Sequence, residues 1–382
     1  MEARNSIRSR GTEIVSTAAR KGDGLEAAWA ALCDALKEMP AETILRPEAG
    51  QTPLDRAEGY RYLTRLARIA FDEFLEDADG RFPRFYTFNT PHKKILLDNP
   101  DTLYWRAPLS ADCEYRVRGR RGTIAYVDFA VYSGYYGSSG PTGTDSHMNH
   151  RELETDAQGN YEITLSATER SGNWLRLGPH SSRFEVRQSF LDRDGEIAAT
   201  AEIERIGGSS APPPLEPRQI ERALFDTRDH MRGISGLIFE MAAPWQRHPN
   251  EFEVFDPERA SELQSNADSH YANAFWKLAA DEAWVIDFEP VRADYWSLNF
   301  TNCWMETQDY RYQRSGLNAH QAQAEADASV RVVLAHRNPG VLNFVSTGGH
   351  ESGYATFRWI LADGRPEVRT RVASIAELEA LR

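Results

Sequence analysis

Asp101, Glu306 and His350 are this chain's candidates for acid–base chemistry. Asp101 closes Asn99-Pro-Asp101. A short polar side chain there either bonds its own backbone in a turn or projects a carboxylate into a site as acid, base or ligand anchor. His350 follows Gly348-Gly349, a pair that lets backbone approach a ligand closely. The alternative for His350 and for His180, at the matching place earlier in the chain, is a histidine that ties down a turn. Glu306 ends Thr301-Asn302-Cys303-Trp304-Met305-Glu306, and the polar stretch after it is a candidate pocket wall. Arg358 and Arg187 are charges among apolar strand residues, so each needs an internal carboxylate or an anionic or polyhydroxylated ligand. For Arg187 the internal pair is expected, and for Arg358 both answers stand. Tyr104, Trp296, Asn302, Trp304 and Arg358 are the expected ligand contacts, and Asp101, Glu306 and His350 the expected catalytic groups. The aromatic members suit stacking on a sugar-like or aromatic ligand, and the ordinary alternative is core packing.

Asp145-Ser-His147-Met-Asn-His150 is the one stretch with metal-like content, but it offers no fixed further ligand, and no metal is expected. The chain has no phosphate loop, no GxGxxG after a strand and no GxSxG elbow, which disfavours nucleotide cofactors and serine-hydrolase chemistry. No cofactor is therefore expected. Cys33, Cys113 and Cys303 lie too far apart for a disulfide framework or a CxxC pair, so a reducing compartment is the simplest reading. Cys303 reads as a small buried hydrophobe.

The formal net charge of -13 argues against nucleic acid as a partner. Arg116, Arg118, Arg120 and Arg121 read as the solvated face of a strand. No apolar run is long enough to span a bilayer. Met1 to Lys21 lacks an apolar secretory core and reads as a flexible leader. A cytoplasmic protein is expected, whose partners are a small polar molecule and a second copy of itself.

Periodicity gives the secondary structure on which these residues sit. Leu25, Trp29, Leu32, Leu36 and Met39 recur at helix spacing, and Pro40 stops that helix. Thr52-Pro53 opens a second helix. Period-two alternation then predicts strands at 115–118 and 123–132, read as a hairpin, followed by strands at 161–166, 183–191 and 196–206. Gly207 to Pro214 has linker composition, and two helices come next, one ending before Pro244 and one over 258–280. Strands resume near Trp284, and Ser374-Ile-Ala-Glu377 caps a last short helix.

An internal repeat organises this series. Asn173-Trp-Leu175, Gly178-Pro-His180 and Arg187 recur as Asn343-Phe-Val345, Gly348-Gly-His350 and Arg358, each after a strand. Tyr104-Trp105 and Tyr295-Trp296 read as matching aromatic strand starts. With Asp98-Asn-Pro-Asp-Thr-Leu-Tyr104, Asp294-Tyr-Trp-Ser297 and Asn338-Pro-Gly-Val-Leu-Asn-Phe344, these segments resemble the family named domain of unknown function 1214, which often occurs with a partner domain numbered 1254. The resemblance covers about 85–205 and 284–360, and departs from the family's pattern at Phe344, where Trp is frequent. It implies a β-sandwich scaffold and no established catalytic residues.

The expected fold is α+β: an internally duplicated antiparallel β-sandwich, jelly-roll-like, with N-terminal helices and a helical insertion. The expected division is leader and helices 1–81, a first β-rich half 82–205, linker and insertion 206–283, a second half 284–372 completing the sandwich, and a C-terminal helix 373–382. The expected function is an enzyme, of hydrolase or lyase class, acting on a small polar or glycoside-like molecule without a nucleotide cofactor. The alternatives are a non-catalytic carbohydrate- or polyol-binding module and an oligomeric scaffold.

Overall fold

The structure is a computed structural model that describes residues 24–137, 140–209, 211–255 and 264–380. The leader read over 1–21 lies outside the described residues. Helix α1 (Gly24–Met39) buries Ala28, Leu32, Ala35 and Met39 along one stripe. A π-helical segment, Pro40–Ile44, leads on toward α2 (Pro53–Phe71). Thr52 Oγ1 accepts from the Asp55 amide while the Asp55 carboxylate accepts from the Thr52 amide, so the α2 start is capped reciprocally. Helix α3 (Pro217–Trp245) packs on both, through Met231, Ile234, Ile238 and Ala242. It retains Pro244 in its last turn rather than ending before it.

The first nine strands are β1 (Tyr86–Thr87), β2 (Thr102–Pro108), β3 (Tyr115–Arg120), β4 (Tyr126–Ser133), β5 (Gly143–Asn149), β6 (Asn160–Ser166), β7 (Trp174–Arg176), β8 (Ser181–Ser189) and β9 (Thr200–Arg205). They form a five-stranded sheet, β1-β2-β8-β4-β5, and a four-stranded sheet, β7-β6-β3-β9. The next nine are β10 (Glu253–Val254), β11 (Ser269–Lys277), β12 (Glu282–Phe288), β13 (Tyr295–Thr301), β14 (Gly316–Asn318), β15 (Val330–Ala335), β16 (Phe344–Ser346), β17 (Ser352–Ile360) and β18 (Val368–Ser374). Their orders, β10-β11-β17-β13-β14 and β16-β15-β12-β18, repeat the first pair strand for strand. Helix α4 (Ile375–Ala380) closes the described chain, with Ser374 Oγ accepting from the Glu377 amide.

The fold is therefore α+β, with an internally duplicated antiparallel sandwich behind N-terminal helices. The repeated asparagines serve the same end in each copy. Asn173 bonds the backbone of Glu154 and Glu162, and Asn343 bonds that of Gln323 and Arg331. Each amide satisfies backbone groups that would otherwise lack partners beside a parallel strand pair.

Four expectations need correction. Each half closes its own sandwich, because the inward faces of its two sheets meet locally. Val117, Ile163, Phe129 and Phe184 share one core, while Trp284, Ile286, Phe300 and Phe357 share another. The segments read as a hairpin, β3 and β4, lie in different sheets, since the chain crosses from one layer to the other between them. Residues expected in a helix over 258–280 include β11, the partner of β17, while 256–263 lie outside the described residues. The second half thus starts before 284. Finally, Tyr104 on β2 corresponds to Tyr271 on β11, and Tyr295 on β13 to Tyr126 on β4. A match of short aromatic pairs could not distinguish neighbouring strands of one sheet.

Candidate functional site

Alternation along a strand leaves each five-stranded sheet with a second face outside its own sandwich. On β8, Phe184 and Val186 enter the core, so Glu185, Arg187 and Ser189 point the other way. On β17, Phe357 and Trp359 enter the core, so Thr356, Arg358 and Ile360 point out. These two outer faces turn toward each other. Asn99 Nδ2 donates to Tyr295 Oη at 3.0 Å, and Tyr126 Oη donates to Asp268 Oδ2 at 2.8 Å across the junction.

Between the faces lies a cavity of about 130 Å3. One wall carries Thr102, Tyr104, Glu185, Arg187 and Ser189, and the opposite wall Ser269, Tyr271, Asn273, Thr356 and Arg358. Phe88, Ile95, Leu97, Met241 and Phe255 add an apolar lining. The cavity is thus amphipathic, and its polar walls come from equivalent strands of the two repeats. In one copy Tyr104 is paired with Arg187, and in the other Tyr271 with Arg358.

The two copies differ in what balances the arginine. Arg187 Nη2 lies 2.9 Å from Glu185 Oε1, and Asp128 is 3.8 Å from Nη1. Strand register puts Thr356 where the first copy has Glu185, and Ser297 where it has Asp128. Arg358 forms no ion pair among the described residues. Its Nη2 donates to the Leu97 carbonyl, and its Nη1 is buried with no partner. Ser269 Oγ, Asn273 Oδ1 and Thr356 Oγ1, all lining the same cavity, are likewise buried without a partner. A buried guanidinium with no carboxylate in contact is costly, and the Asp101 carboxylate, which feels the Arg358 charge, lies beyond ion-pair distance.

Electrostatics sharpen the contrast. Burial pushes the Glu185 carboxyl up, but the guanidiniums of Arg187, Arg106 and Arg183 outweigh it and hold the group at about 2. Glu185 is therefore a permanent anion. Burial pushes the Tyr104 phenol up to about 12, leaving it a neutral hydrogen-bonding group. Burial also pushes Asp128 up to about 7, against the pull of Arg187. An unfolded aspartate titrates near about 3.9, so the folded protein takes the proton more readily. The stabilisation is complete below about pH 4 and is lost as pH rises through about 7. Asp128→Asn keeps an acceptor for Asn266 Nδ2 and removes the titration. Between about pH 5 and about pH 8, denaturant titrations should show wild-type stability falling more than the variant's, by on the order of 2 kcal/mol. Equal losses would exclude Asp128 as the titrating group.

The backbone that meets Arg358 is strained. Leu96 and Leu97 have φ of 46° and 61°, a region unfavourable for side chains with a Cβ. Loop 302–308 holds them there. Met305 O accepts from the Leu97 amide at 2.8 Å, and the Asp98 carboxylate accepts from the Thr307 amide at 2.8 Å and from its hydroxyl. Lys94 Nζ donates to the carbonyls of Thr307 and Gln308.

Several sequence-predicted residues belong to this support and not to the cavity. Glu306 is fully buried and accepts from Arg65 of α2 at 2.6 Å. Asn302 Oδ1 accepts from the amides of Trp304 and Glu306. Trp304 stacks on Tyr62, and its Nε1 donates to the Asp55 carbonyl. His350 Nδ1 lies 3.1 Å from Asp55 Oδ1, so it joins the second sandwich to the capped start of α2, whereas His180 is exposed. Trp296 packs in the second core against Phe288 and Phe357. Asp101 faces a neighbouring cleft, where its carboxylate accepts from Tyr295 Oη and Asn318 Nδ2. Of the eight expected site residues, Tyr104 and Arg358 line the cavity. Asp145, His147 and His150 have separate partners: Ser133 and Ser181, Asp268, and Asp294. No group of acidic, histidine or cysteine residues suited to a metal occurs among the described residues.

Sequence reasoning missed Tyr271, Thr356 and Leu97. Thr356 was within reach, since placing Arg187 over Arg358 also places Glu185 over Thr356 with one residue between, whereas Tyr271 lies in the stretch read as a helix. Leu97 carried no such signal, because its role is that of a carbonyl.

One solved structure shares this fold over nearly its whole length. A solved structure of an uncharacterised protein from Burkholderia cenocepacia is 39% identical, over 92% of this chain and 98% of that one, with a TM-score of 0.89. A protein from Vibrio parahaemolyticus is 10% identical over 82% of this chain and 98% of that one, with a TM-score of 0.47. Among curated proteins none matches. No helix among the described residues is long and apolar enough to cross a membrane. The family described as "Protein of unknown function (DUF1214)" matches residues 269–363, which run from the start of β11 past the end of β17, and the chain belongs to that family.

Proposed function

We propose that the cavity between the two sandwiches binds a small organic acid, with Arg358 anchoring its carboxylate and the apolar lining taking its body. The observation that carries this is the missing counter-charge: the second repeat has the arginine but neutral residues where the first has Glu185 and Asp128. Tyr104, Ser269 and Thr356 are placed to complete the hydrogen bonds of a carboxylate. A cavity of about 150 Å3 accepts a benzene ring, so about 130 Å3 suits a body of that size, and a glycoside needs more room.

Recognition is what these groups support, ahead of the expected hydrolase or lyase chemistry. Asp101, Glu306 and His350 do not converge on this cavity, and the two carboxylates that line it, Asp98 and Glu185, are engaged by Thr307 and by arginines. The test is a thermal melt with benzoate against its neutral counterpart benzamide, in a buffer free of carboxylates. Benzoate should raise the melting temperature in proportion to the logarithm of its concentration, and benzamide should not. Equal shifts with both, or none with either, would overturn the reading.

A further inference from the structure

A second, open cleft of about 540 Å3 adjoins the inner cavity, and Asn89 and Thr102 belong to the walls of both. Its charge runs against that of the molecule. In a chain of net charge -13, the cleft is lined by Arg193 and Arg314, with Asp101 its one acidic residue. The Asp101 carboxylate is held by Tyr295 and Asn318. Arg193, exposed like Arg314, donates from Nη2 to the Pro100 carbonyl at 2.7 Å, and its Cζ lies 4.7 Å from the centroid of the Phe190 ring. Neither arginine forms an ion pair among the described residues. Asn89, which lines both spaces, has its Oδ1 buried without a partner, an acceptor that suits a donor on the ligand and not its acids. Tyr310, Gln313 and Asn299 make the rest of the lining largely polar.

We propose that this cleft is the outer subsite of the same binding site, and that it receives a second anionic group of an elongated ligand. The first carboxylate of that ligand lies at Arg358, its apolar middle against the inner lining, and its second acid, a carboxylate or a phosphate, between Arg193 and Arg314. The proposal rests on the inner cavity being an organic-acid site. It adds that the ligand is a dianion longer than the inner cavity can hold.

The experiment compares straight-chain monocarboxylates with α,ω-dicarboxylates of the same length, in a series of increasing length, by calorimetric titration of the intact protein. Beyond a threshold length the dicarboxylate should bind about fivefold more tightly than its monocarboxylate, more than the statistical gain of two equivalent ends. That increment should vanish in the double variant Arg193→Ala/Arg314→Ala, and in Arg314→Ala alone it should shrink. The monocarboxylate affinity of both variants should equal that of the wild type, which also reports that they are folded. Monocarboxylate binding with no increment at any length, or an increment that survives the double variant, overturns the outer subsite and leaves the inner one standing. Absence of binding by both series, with benzoate also without effect, overturns the inner site and the outer one with it; absence of binding in a protein that benzoate stabilises overturns the outer site alone.

Discussion

Thr356→Glu should abolish most benzoate binding while the protein remains folded. The substitution restores to the second repeat the carboxylate that Glu185 supplies in the first, two residues before the arginine on the same outer strand face. In the first repeat that spacing gives an ion pair of 2.9 Å. An equivalent pair at Arg358 would occupy the guanidinium and place a negative charge where the ligand carboxylate must sit. Loss of a buried charge pair at a binding site costs about 2 to 5 kcal/mol, so affinity should fall about thirtyfold or more by calorimetric titration. Thermal stability should hold, because the new charge meets a partner that now has none. Ser297→Asp, which copies Asp128, approaches the same arginine from β13 and should weaken binding in the same direction. A Thr356→Glu protein that melts normally and binds benzoate as well as the wild type would exclude Arg358 as the anchor.

Arg106→Met should be among the most destabilising single changes in the first half. Arg106 is 1% exposed and lies between two carboxylates, Glu73 of the π-helical segment Asp72–Glu76 after α2 and Glu185 of β8. Its Cζ also stacks 3.5 Å from the centroid of Phe88, a residue of the cavity lining. Methionine replaces much of the volume but leaves the carboxylate of Glu73 buried beside the Tyr86 hydroxyl and the His230 ring, which burial holds at about 4 and so neutral. Breaking a buried pair from one side costs about 3 to 5 kcal/mol. Arg118→Ala, in the exposed ladder with Glu162 and Glu204, should cost under about 1 kcal/mol. Denaturant titration of the two variants separates these values easily. A comparable small loss in both would mean that the Arg106 network contributes packing alone.

The two networks have a common origin in the duplication. Arg106 of β2 corresponds to Asn273 of β11, as Glu185 corresponds to Thr356. The first repeat has a full set of charges on its outer face and buries them as internal pairs. The second has neutral residues in place of the acids and of one arginine, carries Arg358, and presents hydroxyls and an amide. The proposed binding of an organic acid rests on that difference between copies.

Much of this fold could be read from local pattern. The helix stripe at Leu32 and Met39, the cap at Thr52, the cap at Ser374 and most strands are where periodicity and capping place them. The repeat was legible because Asn173 and Asn343 perform the same backbone bonding and therefore hold the same spacing to His180 and His350. The site was legible in part. Arg358 and Tyr104 announced themselves as polar groups on strands. Glu306, His350 and Trp304 carried similar signals but fasten α2 to the second sandwich, and Asn302 shapes the loop that carries two of them.

The order of residues alone was enough to establish which side chains alternate on which strand, where the helices begin, and that one unit occurs twice. Those properties depend on neighbours a few positions away, and period and capping report them directly. Packing in three dimensions was needed to bring the two outer sheet faces together, to close a strained Leu96–Leu97 turn on Arg358, and to leave this guanidinium with no carboxylate in contact among the described residues. A charge's partner is set by distance in space, and the chain separation between the two can be large. Arg358 meets Leu97 across 261 positions of chain, and Glu306 meets Arg65 across 241, separations over which no local pattern carries information.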